Sequence, residues 1–247
     1  MLLYDDRHDS RLAQLSDAHV HKLARMWFEV FNEFTGDPAI KYVFLFENRG
    51  DVVGVTMPHP HGQAYGYPFI PQIIRDELAG AKEHYDNTGK CLFCGLLGQE
   101  ISDGRRIIHD NGHFVLYTPF FARTAYSTHI TAKRHFPTIA DATEAELDAL
   151  GEIVRDASAM YDALFDKPFP YMMCMHNGVS NKHAGAGEHE DCSKYFHFHI
   201  EFIPPMRSAE KQQYFASSET GAGAWCNPTC PEEKAEELRE AWKRVTD

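Results

Sequence analysis

The chain has 247 residues, with 24 Lys+Arg against 36 Asp+Glu and a formal net charge of −12. So acidic a balance excludes a nucleic-acid or anionic-membrane surface as the main partner, because both need clustered positive charge. Hydrophobic residues at 43% and charged residues at 24% exclude a disordered or fibrous chain, and no apolar run approaches the roughly 20 residues that span a bilayer. The acidic opening Met1-Leu2-Leu3-Tyr4-Asp5-Asp6 lacks the features of a signal peptide, so a cytoplasmic location is expected. Six unevenly spaced cysteines point to thiols or metal ligands rather than a disulfide scaffold.

A helix is expected from the N-cap Ser16, where Val20, Leu23, Trp27, Val30, Phe31 and Phe34 keep helical spacing until Thr35-Gly36-Asp37. Two strands follow, Tyr42-Val43-Phe44-Leu45-Phe46 and Val52-Val53-Gly54-Val55-Thr56, separated by the turn Asn48-Arg49-Gly50-Asp51 and leading into His59-Pro60-His61-Gly62-Gln63. A second helix opens after Pro71 and ends near Asn87-Thr88-Gly89. From Cys91 the order begins again, with short extended stretches at 106–109, 113–117 and 127–131. A long helix is opened by the capping box Thr143-Glu144-Ala145-Glu146, with Leu147, Leu150, Val154, Ala157, Tyr161 and Leu164 on one face. Strands at 171–175 and 196–202 flank a polar loop that contains Glu188-His189-Glu190-Asp191 and is expected to be solvated. A C-terminal helix follows Pro231.

Helix, strand, turn and a strand with His-x-His therefore occur twice, which suggests two copies of one unit. The expected fold class is α+β, with antiparallel sheets packed on long helices. Residues 1–88 form an incomplete first unit and residues 89–247 a complete second one.

The chemistry concentrates in His59-Pro60-His61-Gly62-Gln63. On a strand His59 and His61 share a face, and Gly62 permits close approach of a phosphate. An imidazole attacks phosphorus when one ring nitrogen is free and the other is held by a carbonyl. Gln63 adds a neutral donor for phosphoryl oxygens. With glutamine rather than histidine there, transfer is favoured over hydrolysis.

Phe46-Glu47-Asn48-Arg49-Gly50, Gly54-Val55-Thr56 and the histidine motif resemble the galactose-1-phosphate uridylyltransferase family of the histidine-triad superfamily. The resemblance continues through Pro68-Phe69-Ile70-Pro71, Phe169-Pro170-Tyr171, His197-Phe198-His199 and Glu219-Thr220-Gly221-Ala222-Gly223. It implies ping-pong transfer of UMP between UDP-glucose, or UDP-galactose, and hexose 1-phosphates by a homodimer. His61 matches the uridylylated nucleophile and Gln63 the residue that steadies its phosphate. Asn48, Arg49 and Thr56 fall in the substrate-contacting stretch, with Tyr214 and the hexose contact Glu219 near the C-terminus.

The same resemblance implies metals. His8 and His59 match two ligands of a structural zinc whose Cys-x-x-Cys partners are not found upstream. Glu77, His176, His197 and His199 match a second site suited to iron or zinc. Cys91-Leu92-Phe93-Cys94 with His135 suggests a competing zinc site that also claims His197. Two departures from the family pattern stand out. A front segment with a cysteine pair and an arginine is missing, and Gln213 stands where a lysine is usual. Three alternatives follow: an enzyme completed by a separate N-terminal polypeptide, a truncated and inactive metal-binding or dimerisation module, and a related histidine-triad nucleotide hydrolase or phosphorylase.

Overall fold

A computed structural model describes residues 1–57, 59–179 and 191–246. Its elements run β1 (Leu2–Leu3), α1 (Asp17–Thr35), β2 (Tyr42–Arg49), β3 (His61–Tyr67), α2 (Gln72–Thr88), α3 (Leu92–Asp103), β4 (Ile107–Asp110), β5 (Phe114–Tyr117), β6 (Thr128–Ala132), α4 (Glu144–Leu164), β7 (Tyr171–His176), β8 (His199–Ile203), α5 (Ser217–Ala222) and α6 (Pro231–Thr246). The strands form one antiparallel sheet of eight in the order β1-β3-β2-β7-β8-β6-β5-β4. An α+β fold of sheet and long helices is thus what the chain adopts.

The repeat is visible in that order. Hairpin β2-β3 and strand pair β7-β8 meet through β2 and β7, where Phe46 faces Cys174. Helices α1 and α4 each precede one pair. Both β3 and β8 begin at the second histidine of a His-x-His. Strand β8 goes on to pair with β6, whereas the same side of β3 carries only the two-residue β1.

Strand alternation divides the side chains between two faces. Val43 and Leu45 join Val20, Trp27, Phe31, Leu150 and Tyr161 in the main core beneath α1, α4 and α6. Capping box Thr143/Glu146 closes the start of α4 as expected, with Glu146 also held by Arg134 at 2.7 Å. The opposite face carries His61, Gln63, Phe44 and Phe46, and further along the sheet His176, His199 and Glu201. Over it lies α2, whose Ile74, Leu78 and Ala81 pack with Tyr42, Tyr195 and Phe196.

Two local expectations are corrected. The segment 52–56 is not a strand: Asp51–Val53 form a short 3-10 turn between Gly50 (φ 99°) and Gly54 (φ 83°), and the strand begins at His61. Two left-handed glycines break the extended run that the valines suggested. Conversely, Cys91-x-x-Cys94 opens the helix α3, with Cys91 at its N-cap. Its Gly95 and Gly98 depress helix propensity and hid it from the pattern. The run Glu188-His189-Glu190 lies outside the described residues.

Candidate active site and metal centres

His61 opens β3 with its Nδ1–H donating to the carbonyl of His59 at 2.8 Å. That fixes the tautomer and leaves Nε2 as the ring's lone pair, partly exposed on the sheet face. His59 is fixed in turn. Its Nε2–H donates to the Asp5 carbonyl at 2.7 Å, and Tyr4 N–H donates to the Pro60 carbonyl at 3.0 Å. The first residues of the chain thereby hold the motif from behind. Gln63 lies two residues on, accepting from Tyr65 Oη at 3.3 Å through Oε1, and its amide N–H₂ has no acceptor among the described residues. Asn48 shares this face, because the pairing of Phe46 with Gln63 directs it toward His61.

Not every residue from the sequence reading gathers there. Arg49 points through the other side of the sheet, donating to Ser158 Oγ at 3.0 Å and Asp162 Oδ2 at 2.8 Å on α4. Thr56 is exposed in the connection after the 3-10 turn, with no contact to His61 among the described residues. Tyr214 is exposed beneath the Arg207 guanidinium (4.6 Å). The Glu219 carboxylate accepts from the Ala216 and Cys226 N–H groups at 3.0 and 3.1 Å. Nothing among the described residues joins these two to His61.

His197 sits with the cysteines. Cys94 Sγ lies 3.3 Å from His135 Nδ1 and 3.4 Å from His197 Nδ1, and the ligand atoms of Cys91, Cys94, His135 and His197 all lie within 4.8 Å of one another. His135 donates its other nitrogen to the Ser193 carbonyl at 2.6 Å, which turns Nδ1 toward the sulfurs. The neighbouring Cys94 thiol and the two imidazoles lower the Cys91 thiol below its ordinary range. Two thiols and two imidazoles converging in this way fit a tetrahedral zinc.

The second cluster is Glu77, His176, His199 and Glu201. Glu201 stands where the sequence reading placed His197, so the two sites do not compete. His199 Nδ1–H donates to the His197 carbonyl at 2.9 Å, which leaves Nε2 for the cluster. His176 Nδ1 is 3.0 Å from Glu77 Oε1. Burial works against charge on His176, yet Glu77 and Glu201 hold its imidazolium up at about 9. Burial pushes His199 down to about 4, and the surrounding imidazoles overcome burial to hold Glu201 at about 2. Two carboxylates and two imidazoles suit a divalent ion such as zinc or iron. Sequence reasoning passed over Glu201, although it lies two residues beyond His199 and therefore on the same strand face. His8 and His59 approach with their Nδ1 atoms 3.1 Å apart, and no cysteine joins them among the described residues.

Two family models match, described as galactose-1-phosphate uridyl transferase, N-terminal domain over residues 2–71 and C-terminal domain over residues 76–240. A galactose-1-phosphate uridylyltransferase of Thermotoga maritima is 37% identical over 97% of the chain and 73% of its own length. The rat and Kluyveromyces lactis enzymes of that name are 28% and 27% identical, and the chain spans 59% of each. A solved structure described as that of uridylyltransferase superposes with TM-score 0.89 at 26% identity, over 98% of the chain and 74% of that protein.

Proposed function

Because the chain belongs to the galactose-1-phosphate uridylyltransferase family, we propose that it moves UMP between UDP-glucose and galactose 1-phosphate with His61 as nucleophile. The observation that carries this is the 2.8 Å bond from His61 Nδ1–H to the His59 carbonyl, which orients the Nε2 lone pair. His61 Nε2 attacks the α-phosphorus of UDP-glucose, the bond to the bridging oxygen breaks, and glucose 1-phosphate departs with that electron pair. The phosphate oxygen of galactose 1-phosphate then displaces His61 to give UDP-galactose. Gln63 donates its amide to the non-bridging oxygens through both steps. Asn48 lies beside them as a phosphate contact.

In this reading the first unit spans residues 1–88 and the second 89–247, and the working form is a cytoplasmic homodimer in which Glu219 of a neighbouring copy reaches the hexose. Cys91, Cys94, His135 and His197 would hold a structural zinc, and Glu77, His176, His199 and Glu201 a second divalent ion. Such ions would tie His197, just before β8, to α3, and His199 of β8 to α2.

A second reading rests on the His8/His59 pair. The two Nδ1 atoms would supply half of a four-ligand set, and a separate polypeptide bearing a cysteine pair would complete it. One measurement addresses both readings: intact-protein mass spectrometry after mixing the chain with UDP-glucose. A gain of one uridylyl group, absent in His61→Asn, supports an enzyme that performs the first half-reaction alone. No adduct on the folded chain defeats that reading, and an adduct appearing only with the added segment establishes the second.

A further inference from the structure

A second cavity lies on the sheet face under α2 and α3, lined from both halves of the chain. It holds about 740 Å³, lies in front of the Glu77/His176/His199/Glu201 cluster, and is lined in the main by apolar side chains. Phe93, Phe121, Phe215 and Trp225 form its aromatic walls, with Gly80 of α2 on one side and Arg123 at its rim. The volume falls within the range of small-molecule sites, and polar groups converging at one end of an apolar cavity are the usual form of such sites.

Two observations indicate what fits. First, His199 is the counterpart of His61. Both begin a strand, and each donates Nδ1–H to the carbonyl two residues earlier, at 2.9 and 2.8 Å. The cavity therefore stands to His199 as the substrate face stands to His61. Second, the Arg123 guanidinium lies over the Trp225 ring at 5.6 Å and enters no ion pair among the described residues. An aromatic wall suits a flat heterocycle, and a guanidinium that enters no ion pair suits a phosphate.

We propose that this cavity is a second nucleotide site, binding a nucleoside monophosphate with the base against the aromatic walls and the phosphate at Arg123. The identification of the ligand rests on reading the His61 face as a nucleotide site. The test is independent of turnover there.

Trp225 is the reporter, since Trp27 is buried in the main core and Trp242 packs on His109. Zinc-loaded chain is titrated with UMP, uridine and inorganic phosphate while Trp fluorescence is followed. UMP is expected to quench saturably, and to bind at least about tenfold tighter than either fragment. A Cβ at Gly80 meets nothing within 4 Å, so Gly80→Phe can fill the cavity without disturbing α2, and the quench should vanish. Arg123→Ala, at an exposed position, should weaken UMP about tenfold or more. Uridylylation of His61, followed by mass in the same variants, should persist. A folded chain that shows no quench at millimolar UMP overturns the proposal. So does a quench unchanged by Gly80→Phe, or phosphate binding as tightly as UMP. Loss of His61 uridylylation with the quench intact would count against the proposed activity and leave the second site standing.

Discussion

Gly62, between the nucleophile and Gln63, is required by what lies behind it. A Cβ there would stand 2.3 Å from the Tyr4 hydroxyl oxygen, 2.9 Å from Cζ and 3.0 Å from Cε1. Tyr4 cannot swing aside: it is 3% exposed, packs edge-on to Trp27 at 5.9 Å, and its N–H bonds to the Pro60 carbonyl. Gly62→Ala should therefore overpack the core by about 1–3 kcal/mol. For a domain of this size that lowers Tm by about 2–12 °C. The displaced Tyr4 would also carry off the Asp5 carbonyl that orients His59, so uridylylation of His61 should slow more than stability alone explains. Tyr4→Phe removes the atom in closest overlap, and that hydroxyl has no hydrogen-bond partner among the described residues, so the single change should be nearly neutral. In the double variant about 1 kcal/mol of the loss should return. Differential scanning calorimetry of the four proteins measures the coupling. An unchanged Tm in Gly62→Ala, or strict additivity with Tyr4→Phe, would refute this account of the glycine.

Arg49→Met should destabilise the chain by about 1–3 kcal/mol in urea unfolding, because it leaves the partly buried Asp162 carboxylate with only the Phe169 N–H. KM for UDP-glucose should hold steady, and a raised KM with unchanged stability would return Arg49 to the substrate site. Burial holds the Glu47 carboxyl up at about 7 against an ordinary 4.5, with Tyr171 Oη donating to it at 3.0 Å. A folded pKa above the unfolded one gives stability that is complete below about 4.5 and lost as pH rises through about 7. Glu47→Gln should thus gain about 2–3 kcal/mol on the parent chain between pH 5 and pH 8, and a pH-independent difference would contradict it. Zinc content by plasma mass spectrometry should fall by one equivalent in Cys94→Ala and in His135→Ala. Retention of the parent content in both would remove the Cys₂His₂ centre.

Long periodic segments were legible because burial on one face leaves a direct trace in sequence. The apolar faces of α1 and α4, the Thr143/Glu146 capping box and the strands around 42 and 171 lie where residue spacing puts them. Valines at 52, 53 and 55 misled, because local β propensity cannot register that Gly50 and Gly54 turn left-handed. Helix α3 was obscured by its two glycines and is supported by tertiary packing. At the site, His59, His61 and Gln63 were legible from a two-residue spacing. Arg49 shows the limit of motif reading: its place beside Asn48 suggests a shared role, but adjacent strand residues face opposite ways.

Partition of the metal ligands shows the same limit from the other side. His197, His199 and Glu201 alternate along one stretch, so period-two reasoning groups all three. What separates them is the partner surface. Cysteines from the start of α3 take His197 just before β8 begins, and Glu77 from α2 meets His176 beside His199. Neither helix can be placed over the sheet from sequence spacing, since both lie far upstream of β8. The two His-x-His units thus share one backbone device, an Nδ1–H held by the carbonyl two residues back. Their surroundings give it different uses: His61 is left partly open beside a neutral glutamine, whereas His199 is buried against two carboxylates. A nucleophile needs a free nitrogen and a nearby donor, and a ligand needs a free nitrogen and nearby anions. It is Gln63 in one half and Glu201 in the other, each two residues past its histidine, that separate the roles.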